Sequence, residues 1–480
     1  MFILSIIAIY FIVLLVVGRL IARTTSNDIF FRAERKSPWY MVAFGMIGAS
    51  LSGVTFISVP GMVMTQGMTY MQMCLGFIVG YFIVAYVLLP VYYKLNLTTI
   101  YSYLGTRLGK RSYTTGSAFF FLSKMTGAAV RFYVVCKLLQ MCVFDALGVP
   151  LPATTVILVM MIWLYTRRGG IKTIVWTDTL QTVIMFATLV CITLALMNQM
   201  GMTIEETVTA VAEHPASRIF VFDDWMSKQN FWKQFLSGVF VVIVMTGLDQ
   251  DMMQKSLTCP TLRDSQKNLC SYAFAFIPAN MLFLVLGILL MIYATSHGMT
   301  LPTRGDDLLP MFAATGMLGK YVMGLFVIGI VASAFSSADS ALTALTTSLC
   351  VDIFRKPDNE RFRIVAHIAV IACFILCVVA VDIIGASSVI NAIYVLCGYT
   401  YGPLLGLFLF GITTRYGVRD RYVPHVCIAA PLLCYAIDVF AQRHYGYAFG
   451  YELLMLNGLL TFLGCFMLRK RASAGTRQRT

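Results

Sequence analysis

Two short stretches of the chain concentrate small hydroxyl residues within long apolar segments. Residues 48–61 read GASLSGVTFISVPG and residues 333–343 read SAFSSADSALT. Three glycines and a proline disfavour a continuous helix, so the first stretch predicts a broken helix with freed carbonyl oxygens. Hydroxyl, carbonyl and carboxylate oxygens are the ligands that hard cations prefer. The two stretches therefore predict a cation site, with a small-residue packing face and serines bonded to their own helix as alternatives.

Seven ionisable residues lie inside apolar segments, where a charge is costly and marks a candidate functional site. They are Lys124, Arg131, Lys137, Asp178, Asp249, Asp251 and Asp339. Lys124 and Arg131 are seven residues apart and share one face of a helix. A guanidinium in an apolar segment must pair with or contact an anion, so we expect Arg131 to bind an anionic solute. A simple ion pair between Lys124 and Asp178 is an alternative.

The composition excludes a soluble globular protein. The chain has 480 residues, of which 59% are hydrophobic and 12% are charged, and its mean hydropathy is +0.79. Soluble domains carry about 25% charged residues, so this chain has too little charge to cover a water-facing surface. The apolar residues recur in blocks of about 20, which is the length of a helix that crosses a bilayer. We therefore expect an all-α polytopic membrane protein.

Thirteen membrane-spanning helices fit this pattern. We place them at about residues 2–22, 39–66, 71–92, 117–146, 152–167, 172–200, 233–254, 269–297, 316–351, 363–384, 388–412, 422–441 and 451–468. One alternating set of connectors, in which we include Lys255, holds 26 of the 36 lysines and arginines. Such an excess marks the cytoplasmic side, so we expect the N-terminus outside and the basic C-terminal tail inside. The net charge of +14 is then mainly a topology signal, and we expect no nucleic-acid partner.

Five blocks, in order along the chain, resemble the sodium:solute symporter family, which includes sodium/glucose, sodium/proline and sodium/sialic acid cotransporters. The blocks are residues 48–61, 169–181 (GGIKTIVWTDTLQ), 247–255 (GLDQDMMQK), 336–352 and 402–408 (GPLLGLF). The resemblance implies one transporter domain, 1–480, with a five-plus-five inverted repeat like that of the leucine transporter. Helices 2–6 (39–200) and 7–11 (233–412) would form the repeats, with 1–38 and 413–480 peripheral.

The resemblance also implies the site residues. A first sodium site would use carbonyls of Gly48, Leu51 and Ser333 and hydroxyls of Ser336 and Ser337. A possible second cation site, deeper toward the cytoplasm, would use Asp178, Asp339 and Ser340. Asp339 stands where the family has a serine, so the alternatives there are that it carries a proton or pairs with a base. Separately from the resemblance, we expect the solute to be bound by Ser50, Ser52, Thr55, Gln72, Lys124 and Arg131. Structural or gating roles would fall to Asp249, Gln250, Gly402 and Pro403.

The implied function is uptake of a small organic solute coupled to inward Na⁺ movement by alternating access. An anionic solute, such as a sialic acid or another carboxylate, is expected from Arg131. The apolar stretch 241–245 (VVIVM) counts against a glucose-like site. The alternatives are a sodium/sugar or sodium/amino-acid symporter, a transporter-like sensor and a non-coupled permease. We expect no enzyme activity and no obligate protein partner, and a location in the bacterial inner membrane.

Overall fold

The structure is a computed structural model, and it describes residues 2–21, 26–314, 319–384, 389–447 and 449–470. Most of these residues are helical. In chain order the α-helices are α1 (Phe2–Ile21), α2 (Asn27–Arg32), α3 (Trp39–Ser50), α4 (Gly53–Gln66), α5 (Tyr70–Ile83), α6 (Leu89–Lys94), α7 (Ser102–Arg107), α8 (Lys110–Leu139), α9 (Leu151–Gly169), α10 (Ile171–Met200), α11 (Ile204–Glu213), α12 (Phe231–Val242), α13 (Gln250–Ser256), α14 (Leu262–Ser296), α15 (Leu308–Ala314), α16 (Gly319–Ser348), α17 (Glu360–Ile384), α18 (Val389–Thr413), α19 (Val423–Tyr445) and α20 (Leu453–Met467).

Many of these helices could cross a bilayer. Within the described ranges, eight helical segments are long and apolar enough to do so, or nine if residues 231–247 and 250–256 form one bent span. Two shorter apolar helices, α3 and α20, add to them. Large apolar side chains such as Leu376 and Ile383 point outward and are 70% and 81% exposed, as expected for surfaces that face lipid. The chain is therefore a helical membrane protein with multiple spans.

The first hydroxyl-rich stretch breaks its helix, as its sequence predicts. Helix α3 ends at Ser50, Leu51 leaves the helical region with φ −81° and ψ 70°, and Ser52 is extended before α4 begins. The last carbonyls of α3 therefore have no partner in their own helix. Gly48 lets α3 approach α10 closely, because a Cβ atom there would lie 2.0 Å from the hydroxyl oxygen of Thr182.

A second break separates α12 from α13. A π-helical turn, Ile243–Gly247, ends α12, and the chain then bends by 70° into α13. Asp249 caps α13, since its Oδ1 accepts the N–H of Asp251 at 2.8 Å. Such π turns are frequent at functional sites, and this one turns the acidic residues of α13 toward α8.

Helix α16 is the central element of the bundle. It packs against α8, α10 and α4. In its most apolar stretch of 18 residues, 72% of the residues are buried, compared with 22% in the corresponding stretches of α1 and of α19. Its serines therefore face other helices rather than lipid.

A small sheet, which the sequence did not indicate, closes one end of the bundle. Strand β1 (Gly417–Val418) pairs antiparallel with β2 (Arg469–Lys470). Next to it, Asp420 caps α8 by accepting the backbone N–H groups of Arg111 and Ser112 at 2.8 and 2.7 Å. The remainder of the predicted basic tail, from residue 471, lies outside the described residues.

Candidate functional site

The break between α3 and α4 faces two serines of α16, Ser333 and Ser337. The Ser333 hydroxyl donates to the carbonyl of Leu51. The Ser337 hydroxyl lies 3.0 Å from the carbonyl oxygen of Ala49 and 3.2 Å from that of Ser333. Carbonyl and hydroxyl oxygens thus converge at this point, which we call the break cluster: Ala49, Leu51, Ser333 and Ser337. It has the oxygen-only composition that suits a hard cation.

One residue predicted for this site, Ser336, has a different partner in the structure. Ser336 turns away from the break, and its hydroxyl donates to Asp178 Oδ1 at 2.6 Å. Consecutive residues on a helix point about 100° apart, so Ser336 and Ser337 face different partners. At the break, Ser337 contacts the carbonyl of Ala49. Gly48, the residue before it, also allows α3 to pack closely against Thr182.

The buried partner of Asp178 is Lys255. Their Nζ and Oδ2 atoms are 2.7 Å apart, and the exposed fractions of the two side chains are 2% and 1%. The alternative of a Lys124–Asp178 pair is therefore wrong. Counting Lys255 among the residues of a cytoplasmic connector is also wrong, because α13 carries it into the bundle. Its spacing of four from Asp251 places both side chains on one face of a helix, but does not indicate Asp178 as the partner.

The other two predicted members of the second site lie beside this pair. Asp339 accepts the hydroxyl of Tyr165 at 2.8 Å through Oδ2 and that of Ser340 at 3.2 Å through Oδ1. The Ser340 hydroxyl oxygen also lies 2.9 Å from the carbonyl oxygen of Ser336. Asp178, Asp339 and Ser340 are thus brought together, with a lysine among them.

A cavity of about 130 Å³ opens beside the break cluster. Ala49 and Ser337 belong to both the cluster and the cavity lining. Its hydroxyl and amide lining residues are Ser50, Ser52, Thr55, Thr246 and Asn280, its aromatic ones are Tyr70, Phe77, Tyr81, Phe132, Tyr272 and Phe276, and its charged ones are Lys124, Arg131, Asp249 and Asp251. A largely apolar and aromatic cavity with a few convergent polar groups is typical of a small-molecule site.

Three of the four charged residues in the cavity form one network. Lys124 Nζ lies 2.7 Å from Asp251 Oδ2 and 3.1 Å from Asp249 Oδ2. Asp249 Oδ2 also accepts the hydroxyl of Tyr401 at 2.6 Å. Lys124 is therefore matched by carboxylates of the protein itself, so it is not available as the principal partner of a solute anion.

Arg131 is the charged residue outside this network. It lines the cavity and is half-buried. In the part of the chain that the structure describes, no ion pair or hydrogen bond is formed by its guanidinium. A half-buried cation without an anionic partner is suited to an anion from outside the protein.

Gln72 does not line the cavity, contrary to the prediction. Its buried amide donates to the carbonyl of Gln229 at 2.9 Å, and its carbonyl accepts the N–H of Val221 at 3.0 Å. Gln72 thus fixes the loop before α12. A polar side chain within an apolar helix can be a ligand or a loop anchor, and its polarity does not distinguish the two.

Of the four residues predicted to have structural or gating roles, Gln250, Gly402 and Asp249 make packing, hydrogen-bonding or capping contacts. Gln250 accepts the N–H of Ile100 at 2.9 Å and donates to the carbonyl of Thr98 at 3.1 Å. A Cβ atom at Gly402 would lie 2.4 Å from the side chain of Asn457, so this glycine permits α18 to pack on α20. Pro403 follows it within α18, and Asp249 caps α13 while lining the cavity.

Sequence reasoning did not assign roles to two tyrosines. Tyr272 donates to the Ser50 hydroxyl at 2.5 Å and lines the cavity, and Tyr401 donates to Asp249. Buried tyrosines usually find a hydrogen-bond partner. Nothing in the spacing of these two residues indicates which partner, because both contacts join distant parts of the chain.

Two broken helices around a charged cavity, in a helical membrane protein with multiple spans, define a secondary transporter. Comparison with known proteins narrows this class. The model of the sodium:solute symporter family matches residues 30–416, so the chain belongs to that family. It is an integral membrane protein that couples Na⁺ to the transport of a small solute, and Na⁺ is its coupling ion.

Individual relatives and structures are consistent with this family. The sodium/sialic acid symporter SiaT of Proteus mirabilis is 25% identical over 82% of this chain and 80% of its own length. The sodium/sialic acid symporter NanT of Aliivibrio fischeri is 27% identical over 82% of this chain and 79% of its own length. A solved Na⁺-coupled sialic acid symporter aligns over 98% of this chain and 99% of its own with a TM-score of 0.83 at 20% identity. Mhp1, a nucleobase-cation-symport-1 family transporter, aligns over 94% of this chain and 97% of its own, with a TM-score of 0.58 at 14% identity. These two structures show a shared fold.

Proposed function

We propose that this protein takes up a small organic anion with a carboxylate group, driven by inward Na⁺ movement through alternating access. The observation that carries the proposal is Arg131, a half-buried cation in the cavity lining with no partner among the described residues. A guanidinium binds a carboxylate through two parallel hydrogen bonds. Relatives that are sodium/sialic acid symporters support a carboxylated solute.

The rest of the cavity suits a solute with a polar body. Ser50, Ser52 and Thr55 bring hydroxyls from the broken helix, and Asn280 adds an amide. Tyr and Phe rings supply apolar walls on the other sides. A hydroxylated acid such as a sialic acid would use both surfaces. The charged network of Lys124 would help to fix the shape of the cavity rather than balance the solute.

The break cluster is the proposed site of the coupling ion. Na⁺ bound there would be held by carbonyls of Ala49, Leu51 and Ser333 and the hydroxyl of Ser337. Because Ala49 and Ser337 also line the cavity, the ion would pin α3 and α4 against α16 in the geometry that the solute requires. Each ligand would then raise the affinity of the other by the same factor.

The proposed topology has thirteen spans, with the N-terminus outside and the C-terminus in the cytoplasm of a bacterium. Its two repeats are 39–200 and 233–412. Supporting this division, each proposed repeat opens with a broken helix, α3–α4 in the first and α12–α13 in the second. The distribution of lysine and arginine over the connectors supports the orientation.

The experiment is thermal stabilisation of the purified protein across a panel of carboxylates, sugars and amino acids, with and without Na⁺. We expect a carboxylate to stabilise the protein, and only with Na⁺ present. Arg131→Ala should abolish stabilisation by that solute and its uptake, while stabilisation by Na⁺ alone persists. Lys137→Ala is the matched control, since Lys137 is an exposed cation on the same helix. An unchanged solute affinity in Arg131→Ala would reject the proposal.

A further inference from the structure

A buried polar cluster lies on the side of α16 away from the cavity. It consists of Asp178, Lys255, Ser336, Asp339 and Ser340, each with at most 1% of its surface exposed. None of these five residues lines the cavity. The cluster is therefore separate from the proposed solute site, although Ser336 adjoins Ser337 of the break cluster.

Oxygen atoms dominate this cluster, and one ammonium lies among them. Lys255 Nζ is 2.7 Å from Asp178 Oδ2, while Asp178 Oδ1 accepts the hydroxyl of Ser336 at 2.6 Å. Both oxygens of Asp339 accept hydroxyl groups, from Tyr165 and Ser340. Within the described ranges, no other lysine or arginine forms an ion pair with either aspartate.

Two buried carboxylates with serine hydroxyls would attract a hard cation if the lysine were absent, because a buried charge requires a partner. The lysine supplies that positive charge from the protein itself. A Na⁺ ion in the same place would lie against the ammonium, and the repulsion between like charges in a poorly hydrated interior is strong.

We propose that the Lys255 ammonium is a built-in cation that fills the second cation site, so that the protein binds one Na⁺ ion per transport cycle. The proposal rests on the proposed function, in which the single exchangeable ion binds at the break cluster. A side chain cannot leave the site as Na⁺ can, so the positive charge at Asp178 is permanent and carries no energy from the Na⁺ gradient.

The position of Lys255 links this cation to the solute cavity. Helix α13 carries Asp251, which pairs with Lys124 in the cavity, and Lys255 one turn later. Gln254, between them, donates to the carbonyl of Phe31 at 2.8 Å and to the hydroxyl of Thr347 at 3.0 Å. The helix is thus fixed on several sides, and Lys255 is held against Asp178 by the same element that shapes the cavity.

The test is equilibrium binding of ²²Na⁺ to the purified full-length protein at saturating Na⁺, without any solute, so that the result does not depend on the identity of the solute. We expect one ion per protein in the wild type, and an occupancy well below one in Ser337→Ala at the lowest Na⁺ concentration that saturates the wild type. Two ions in the wild type would overturn the proposal. The proposal would also be overturned if Ser337→Ala still bound one ion with wild-type affinity while the double variant Lys255→Met/Asp178→Asn bound none.

Two variants isolate the role of the lysine. Lys255→Met removes the ammonium and leaves both carboxylates, so we expect a second ion to bind, and a count of one in the folded variant would contradict the proposal. The double variant Lys255→Met/Asp178→Asn removes both charges of the ion pair, and we expect it to fold because no unpaired buried charge remains from that pair. This double variant should bind one Na⁺ ion, as the wild type does. If Lys255→Met does not fold, the counts for the wild type and the double variant still decide the matter.

Discussion

Replacing Ser337 by alanine removes the hydroxyl that lies between the carbonyl oxygens of Ala49 and Ser333, at 3.0 and 3.2 Å. In the proposed sodium site this hydroxyl is one of four oxygen ligands. A hydrogen-bonding or polar contact to a charged group contributes about 1.5–3 kcal/mol. Since about 1.4 kcal/mol corresponds to a tenfold change in affinity, the Na⁺ affinity of Ser337→Ala should fall about 10- to 150-fold.

The assay is a Na⁺ titration of the purified variant, followed by thermal stability or by ²²Na⁺ binding. The matched control is Ser340→Ala, which makes the same substitution one turn further along α16, where the hydroxyl contacts Ser336 and Asp339. We expect Na⁺ affinity to change less than threefold in the control. At saturating Na⁺, the solute affinity of Ser337→Ala should return close to that of the wild type, because the coupling between the two ligands is reciprocal.

Two results would refute this reasoning. If Ser337→Ala bound Na⁺ as tightly as the wild type, the break cluster would not be the sodium site. If Ser340→Ala weakened Na⁺ binding as much as Ser337→Ala, the ion would lie on the other side of α16, in the cluster that contains Lys255.

Further predictions concern packing, the cavity and the charge moved per cycle. Gly48→Ala should lower the free energy of unfolding by about 1–3 kcal/mol, seen as a lower melting temperature, because its Cβ atom would lie 2.0 Å from the Thr182 hydroxyl oxygen. Gly127→Ala is the control and should not lower the melting temperature, because no atom lies within 4 Å of its Cβ position. Tyr272→Phe removes the hydrogen bond to Ser50 and should weaken solute binding by about 0.5–1.5 kcal/mol, measured by titration. If one Na⁺ accompanies a monoanion, uptake into proteoliposomes should not respond to a membrane potential set with potassium and valinomycin, whereas a clear response would indicate a second exchangeable ion.

The broken helix and the cation chemistry could be predicted from the sequence, because both depend on local properties. Glycine, proline and serine around Leu51 weaken a helix wherever they occur, and the structure breaks there. Serines spaced along α16 had to present hydroxyls to neighbouring helices once the helix was buried. Arg131 could likewise be singled out, since a guanidinium in an apolar helix is conspicuous.

The pairing of charged residues could not be predicted, because it depends on the packing of helices that are distant in the sequence. Lys255 looked like a residue of a basic connector, and only the bend before α13 directs it toward Asp178. The opposite directions of Ser336 and Ser337 depend on the rotation of α16, which composition does not fix. Gln72 shows the converse error, because a buried amide can anchor a loop as readily as it can bind a solute.

The most direct test of the account is uptake of the stabilising carboxylate into proteoliposomes under an inward Na⁺ gradient. The account predicts accumulation of the solute above its external concentration with this gradient, and none when Na⁺ is replaced by potassium under an inward proton gradient. Equal accumulation in Na⁺-free buffer would contradict the assignment of Na⁺ as the coupling ion and of the break cluster as its site.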